Sequence, residues 1–291
     1  MSRILISGAT GFLGSHLVAR LLREGHELTL LIRSSSDLWR IESVLGEVDT
    51  VSVEDDSIRN IIERNKIDTV VHTACDYGRQ GNSPYEISQT NVGFGLQLLS
   101  AAIEGGVARF INTDTFLPRN MNPYAITKYQ FLDWLKHFSN QVRIINFRLE
   151  HMYGPKDDDK KFLCWFIQQL KNKQPRISLT SGEQLRDFIH VRDVVDAFAL
   201  IVNAPSRDLD YEEFDIGTGY LTSVRDLTEN LYKLYVQRWP DTTCELGFGD
   251  LPSRPIEFNA PIIEAKAIRD LGWSPRVSLA DGLKELVKGL R

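Results

Sequence analysis

Tyr124 and Lys128 stand four residues apart, so on a helix they share one face, and an ammonium there stabilises a tyrosinate. Such a pair would draw the phenol below its ordinary ~10, toward a range useful for proton transfer. Alone, Tyr-x-x-x-Lys is a weak signal. Thr113, at the end of an apolar run, adds a hydroxyl able to hydrogen-bond a carbonyl. A second pattern, Gly8-Ala9-Thr10-Gly11-Phe12-Leu13-Gly14, follows the first apolar run and opens an amphipathic stretch. Its glycines let backbone turn tightly and approach a pyrophosphate, and a helix start behind them offers free N–H groups to the anion. Taken together, the turn and the three residues make a hydride-transfer site, with Gly8, Thr10, Gly11, Phe12, Leu13 and Gly14 cradling the dinucleotide.

The dinucleotide is read from the end of the second strand, where an NAD enzyme usually has an acid for the ribose. Here the chain runs Leu31-Ile32-Arg33-Ser34-Ser35-Ser36, with no acid until Asp37. Arg33 can pair with a 2′-phosphate and Ser34 can donate to it, which favours NADP, unless Arg33 is simply a solvated loop residue. Asp55 or Asp56 could reach the adenine amino group.

These residues need a frame. Short apolar or β-branched runs at 4–7, 28–32, 51–53, 69–72, 109–112 and 142–147 alternate with helical windows at 12–24, 58–65, 88–104 and 124–138. That alternation predicts an α/β fold, a doubly wound parallel sheet of Rossmann type over residues 1–150, with its crevice at the switch point. Past Arg148 prolines interrupt the chain, and residues 151–291 read as a smaller C-terminal substrate lobe, with room for strands returning to the first domain. Its expected helices are 161–171, 192–203, 224–235, 261–271 and 279–290. Asp157-Asp158-Asp159-Lys160-Lys161 reads as a solvated turn rather than a metal site. His16 and His72 read as structural, Cys75, Phe162, Trp165 and Phe166 as packing, and Tyr77 and Arg79 either as substrate contacts or as plain loop residues.

Composition narrows the class. The chain is 42% hydrophobic and 25% charged, ordinary for a soluble globular protein. Its balance of 34 basic against 39 acidic residues, net −5, excludes the basic footprint of a nucleic-acid binder. No apolar run reaches the ~20 residues of a membrane span, so a cytoplasmic protein is expected. Three scattered cysteines indicate neither a disulfide framework nor a metal cage.

The sequence resembles the extended short-chain dehydrogenases/reductases, in the branch acting on sugar nucleotides. The glycine turn, Thr113, Tyr124 and Lys128 match that family's cofactor motif and triad, and Asn91 its site-organising asparagine; the resemblance implies that Ala74 and Asn91 complete the cofactor set. Downstream, Arg148 with Tyr153-Gly154-Pro155, then Arg186-Asp187-Phe188-Ile189-His190-Val191, then Leu271-Gly272-Trp273-Ser274-Pro275 match the sugar-nucleotide branch. The strings Asp76-Tyr77-Gly78, Asn112 to Phe116, Arg148 to Pro155 and Gly182 to Phe188 resemble the CDP-abequose and CDP-paratose synthases in particular. The resemblance implies substrate binding by Asp114, Thr115, His151, Arg186 and Arg254, the two arginines on the diphosphate, and a homodimer. His151 stands where epimerases have an asparagine, and Asp114-Thr115 replaces the Asp-Glu pair with which dehydratases drive elimination. The implied activity is NADPH-dependent reduction of the C4 ketone of a nucleotide-activated deoxyhexulose. A 4-epimerase retaining NAD and a catalytically silent nucleotide-binding module are the alternatives.

Overall fold

The structure, a computed structural model, describes residues 1–79, 81–205, 210–253 and 258–290, and its chain divides into two compact units. The first comprises Met1–Leu149 and Val195–Asp215. Its strands are β1 (Arg3–Ser7), β2 (Glu27–Ile32), β3 (Asp49–Ser52), β4 (Thr69–His72), β5 (Arg109–Thr115) and β6 (Arg143–Leu149), with helices α1 (Phe12–Arg23), α2 (Ile58–Asn65), α3 (Pro84–Ser88), α4 (Gly95–Glu104) and α5 (Pro123–His137) between them. In the second unit and on the return come β7 (His151–Tyr153), α6 (Phe162–Lys171), β8 (Arg176–Leu179), β9 (Leu185–His190), α7 (Val191–Asn203), β10 (Tyr211–Ile216), β11 (Leu221–Ser223), α8 (Val224–Arg238), β12 (Glu245–Phe248), α9 (Lys266–Arg269) and α10 (Leu279–Gly289).

The main sheet has seven strands in the order β10-β6-β5-β4-β1-β2-β3, and those from β6 to β3 pair in parallel. The run Ile4-Leu5-Ile6 and all of β4 are fully buried, because helices cover both faces of a parallel sheet. From β1 the chain winds outward to β3 and then crosses back to β4, so the switch point lies between β1 and β4, with Ser7 in register with His72. Residues 195–215 belong to this unit for packing reasons. Phe198 stacks on Phe147 at 4.2 Å and Phe214 lies 5.7 Å from it, while Arg109 donates to the last carbonyls of α7, those of Ile201 and Val202, at 3.2 and 2.9 Å.

The second unit, Glu150–Val194 with Ile216–Arg291, holds a three-stranded sheet β11-β9-β7 and a parallel pair β12-β8. Its core gathers Tyr153, Phe166, Leu227, Leu231 and Leu283. Two of the sequence motifs are fastenings here. Asp187, fully buried, accepts from Thr218 Oγ1 at 2.6 Å and Gly219 N at 2.8 Å. Asp193 accepts the backbone N–H groups of Arg276 and Val277 at 3.0 and 3.1 Å, and Trp273 Nε1 donates to its carbonyl at 2.9 Å.

Three expectations are corrected. The helix expected over 261–271 shrinks to α9, since Ala260 N–H bonds the Leu185 carbonyl of β9 and Ala265 turns left-handed at φ 50°. The window at 88–104 is not one α-helix: a π-helical turn, Gln89–Phe94, joins α3 to α4. Asp157 is not solvated but buried, paired with Lys161 at 2.8 Å.

Candidate active site

The turn after β1 has the form a pyrophosphate needs. Gly8 adopts φ +73°, and a Cβ on it would lie 2.5 Å from Ala74 N, at the end of β4 across the switch point. A Cβ on Gly14 would sit 2.1 Å from the Gly8 carbonyl oxygen, and Gly11 N donates to that same oxygen at 3.0 Å. Backbone therefore packs on backbone, and Phe12 and Leu13 bury their side chains beneath it. Gly11 caps α1 with no side chain, and the first turn carries no acid, leaving its N–H groups and the helix dipole to an incoming anion. Arg40, which the sequence reading missed, donates to the Thr10 carbonyl at 3.4 Å; it comes from an irregular loop with no local signal.

At the end of β2 the picture departs from expectation. Arg33 and Ser34 are exposed, but an acid does approach: Ser34 N donates to Glu54 Oε2 at 3.2 Å. The Ser34 hydrogen bonds, and then the Arg33 charge, hold the Glu54 carboxyl below its usual range. Glu54 was missed because it reaches β2 from the loop after β3. Its neighbour Asp56 is committed to α2, accepting from Ser57 N at 2.8 Å and Asn60 Nδ2 at 3.0 Å and pairing with Arg64, while Asp55 is exposed.

Thr113, Tyr124 and Lys128 come from β5 and α5. Asn122 caps α5 by accepting from Ala125 N at 2.8 Å, and Pro123 fills its first position, so Tyr124 sits in the first turn and Lys128 one turn on. Thr113, Tyr124 and Lys128 are 7%, 8% and 3% exposed. Thr113 Oγ1 donates to the His72 carbonyl at 3.2 Å. Asn91, on the π-helical turn, explains that turn's presence: it accepts from Asp76 N at 2.7 Å and donates to the Asp76 carbonyl and Thr127 Oγ1, both at 2.9 Å. It thus ties the loop after β4 to the helix of Tyr124. That loop lays the Tyr77 ring on Tyr124 at 4.7 Å, with the Arg79 guanidinium 4.7 Å beyond the Tyr77 centroid, placing both residues at the site.

Electrostatics also correct an expectation. The Tyr124 phenol is pushed well above its ordinary value, by burial first and then by Cys75 and Asp114, so Lys128 alone does not set it. His72, buried and bonded to Ser7 Oγ at 2.7 Å, is pushed down to about 3, by burial and then by the Lys128 charge. It stays neutral and structural.

Of the remaining expected residues, Asp114 and Thr115 follow Thr113 on β5 and are buried. His151 and Arg186 belong to the second unit. His151 Nδ1 lies 3.2 Å from Glu150 Oε2, and Arg186 donates to the Leu185 carbonyl at 2.8 Å and to that of Phe258 while lying over the Phe258 ring at 4.5 Å. Arg254 lies outside the described residues.

The model of the NAD dependent epimerase/dehydratase family matches residues 4–217. The chain belongs to that family. Within it, the CDP-abequose synthase of Salmonella typhimurium is 32% identical over 301 residues, covering 99% of this chain and 98% of its own length. A CDP-abequose synthase of Salmonella muenchen is 28% identical, covering 98% and 97%. Among solved structures, UDP-glucose 4-epimerase of Thermotoga maritima, crystallised with UDP-glucose, superposes with a TM-score of 0.83 at 26% identity, covering 98% and 97% of the two chains. In this epimerase/dehydratase family member the position after the acid Asp114 holds Thr115, a hydroxyl that accepts from Leu117 N at 3.2 Å. A threonine cannot serve as the carboxylate base that an elimination requires.

Proposed function

We propose that this protein reduces the C4 ketone of a nucleotide-activated deoxyhexulose, best matched by a CDP-linked 4-keto-3,6-dideoxyhexose, with NADPH as reductant. The reading is carried by one observation: Tyr124 is a buried phenol one turn before Lys128 on α5, in the same unit as a glycine turn shaped for a dinucleotide. A ketone reduction needs an acid at that place, and a protonated tyrosine is one. The CDP-abequose synthases among its relatives support the substrate class.

The turn from Gly8 to Gly14 would hold the pyrophosphate, Ala74 and Asn91 the approach to the nicotinamide, and Arg33 with Ser34 the 2′-phosphate. Bound nicotinamide supplies the hydride that the ketone carbon accepts. Thr113, whose hydroxyl rests on the His72 carbonyl, turns its proton to the substrate oxygen and stabilises the developing alkoxide. Tyr124 donates the proton that completes the alcohol, and Lys128 balances the phenolate left behind. Asp114, Thr115, His151, Arg186 and Arg254 are proposed to bind the sugar nucleotide, and the protein to act as a cytoplasmic homodimer.

A second reading, a 4-epimerase, is favoured by Glu54 at Ser34, because a carboxylate there suits a free ribose hydroxyl better than a phosphate. Deuterium on the transferred position of NADPH separates the two. A reductase consumes one NADPH per sugar and delivers the label to C4. Inversion at C4 by protein that purifies with NAD, with no label transferred, overturns the reductase reading.

A further inference from the structure

The loop after β4 is fastened more closely than a connection between a strand and a helix requires. Asp76 Oδ1 accepts from Gly78 N at 2.7 Å and its Oδ2 from Asn82 Nδ2, so one carboxylate draws two points of the loop together. Asn91 holds the main chain of the same aspartate by both its N–H and its carbonyl, and ties it to Thr127 on α5. Gly78 turns left-handed at φ +69°, and a Cβ there would meet Ile87 Cδ1 of α3 at 2.8 Å, so the loop also rests on its neighbouring helix. Tyr77 stands between these two anchored residues, and its direction is fixed by them.

That direction is onto Tyr124. The two rings lie 4.7 Å apart at an angle of 33°, within the range at which aromatic rings attract. Tyr77 is the outer of the pair, 39% exposed against 8% for Tyr124. The Arg79 guanidinium lies over the Tyr77 ring, 4.7 Å from its centroid, close enough for a cation–π attraction that steadies the covering ring.

A phenol that gives its proton to a ketone must keep its hydroxyl aimed, because a misplacement of about 1 Å costs roughly 100-fold in rate. The first turn of α5 sets where the Tyr124 backbone stands, and a ring laid against its own ring limits how it can turn. We propose that Tyr77 is a positioning residue acting through Tyr124: its ring covers the Tyr124 ring, holding the phenol in one orientation and keeping water from the covered face, and Asp76 holds Tyr77 in place. Contact is ring against ring, so the Tyr77 hydroxyl is dispensable and phenylalanine should serve as well. The role deepens the reductase reading, which supplies the reason for aiming a phenol; the covering of Tyr124 does not depend on it.

Nitration by tetranitromethane in the cofactor-free protein, read at Tyr124 by peptide mass spectrometry, measures the cover. Tyr85, 71% exposed on α3, calibrates the reagent in each sample. Tyr124 should react slowly in wild type and in Tyr77→Phe, and several-fold faster in Tyr77→Ala and in Asp76→Ala; if one of the two alanine variants fails to fold, the other decides. Wild-type protection of Tyr124 in folded Tyr77→Ala overturns the role of Tyr77, and in folded Asp76→Ala that of Asp76. With NADPH and a 4-keto-deoxysugar nucleotide, Tyr77→Ala should lose roughly 10- to 100-fold in kcat while its KM for NADPH and its melting temperature hold, and Tyr77→Phe should keep wild-type turnover. A kcat retained in Tyr77→Ala, or one lost equally in Tyr77→Phe, overturns the positioning. If wild type turns over no keto sugar, the reductase reading falls, and the nitration rates still decide whether Tyr77 covers Tyr124.

Discussion

Gly14→Ala isolates what the dinucleotide turn demands. The added methyl would meet the Gly8 carbonyl oxygen at 2.1 Å, the Gly8 carbonyl carbon at 2.8 Å and Ala9 Cα at 2.9 Å. None is the end of a flexible side chain. Gly8 cannot retreat either, since it is packed so closely that its own Cβ would lie 2.5 Å from Ala74 N. Overpacking a rigid core costs about 1–3 kcal/mol, and three backbone contacts argue for the upper part, about 2–3 kcal/mol. At roughly 2–4 °C per kcal/mol, the melting temperature should fall by about 4–12 °C. Displacing the N–H groups of α1 should also cost about 1.5–3 kcal/mol in binding the charged pyrophosphate, about 10- to 100-fold in Kd. Gly46→Ala is the control, because a Cβ there meets nothing within 4 Å; it should stay within about 0.5 kcal/mol of wild type. Thermal unfolding and a calorimetric NADPH titration on both variants supply the numbers. Gly14→Ala with wild-type melting and affinity would refute the claim that backbone contact at this turn builds the anion site.

Tyr124→Phe keeps the ring on Tyr77 and should melt as wild type, yet lose ~10²- to 10⁴-fold in kcat with NADPH affinity retained; a variant keeping most of its turnover removes Tyr124 as the acid. Arg33→Ala and Glu54→Gln should move the NADPH-to-NADH affinity ratio in opposite directions, several-fold down and several-fold up, because one charge attracts the 2′-phosphate and the other repels it; titrations shifting the same way sink that account. His72 should also show in acid stability. Its folded value, about 3, lies below the unfolded ~6.5, so the unfolded chain holds the extra proton between them, and stability is lost as pH falls below ~6.5, by up to ~1.4 kcal/mol per unit. Denaturant melts of His72→Asn across that window should show a slope shallower by one proton, and an unchanged slope contradicts it.

Where one side of an element decides its conformation, the residues show it. Strand β4, Thr69–His72, is buried at all four positions because both faces are covered, with Val70 and Val71 at its centre, and α2 is bounded by Ser57, whose hydroxyl accepts from Asn60 N at 3.2 Å, and by Lys66, left-handed at φ 51°. Strand β10 defeats that logic. It buries Glu212, Phe214 and Ile216 in alternation, but the first of these is a glutamate, made buriable by Arg143 on the neighbouring strand, so Tyr-Glu-Glu-Phe-Asp-Ile reads as polar loop until the partner is known. Segment 261–265 fails likewise, because the carbonyl that takes the Ala260 N–H belongs to β9.

The same division runs through the site. Thr113, Tyr124 and Lys128 were legible because regular elements convert spacing into direction: the end of β5 and one turn of α5. Arg40 and Glu54 were not, because each arrives from a loop with no local signal; Tyr77 stood only as one of two readings, because its loop is fixed by a distant fastening, Asn91 on Asp76. The charge state of Tyr124 was the most misleading of all. Its helix supplies only Lys128, and a reading confined to that helix lowers the phenol. The groups that raise it, Cys75 after β4 and Asp114 on β5, stand on other elements, and the burial that dominates them is a property of the whole unit. A pairwise motif therefore identifies the proton-bearing residue, while the direction in which its proton moves most readily is decided by tertiary neighbours. In this chain burial, Cys75 and Asp114 hold that phenol above its ordinary value.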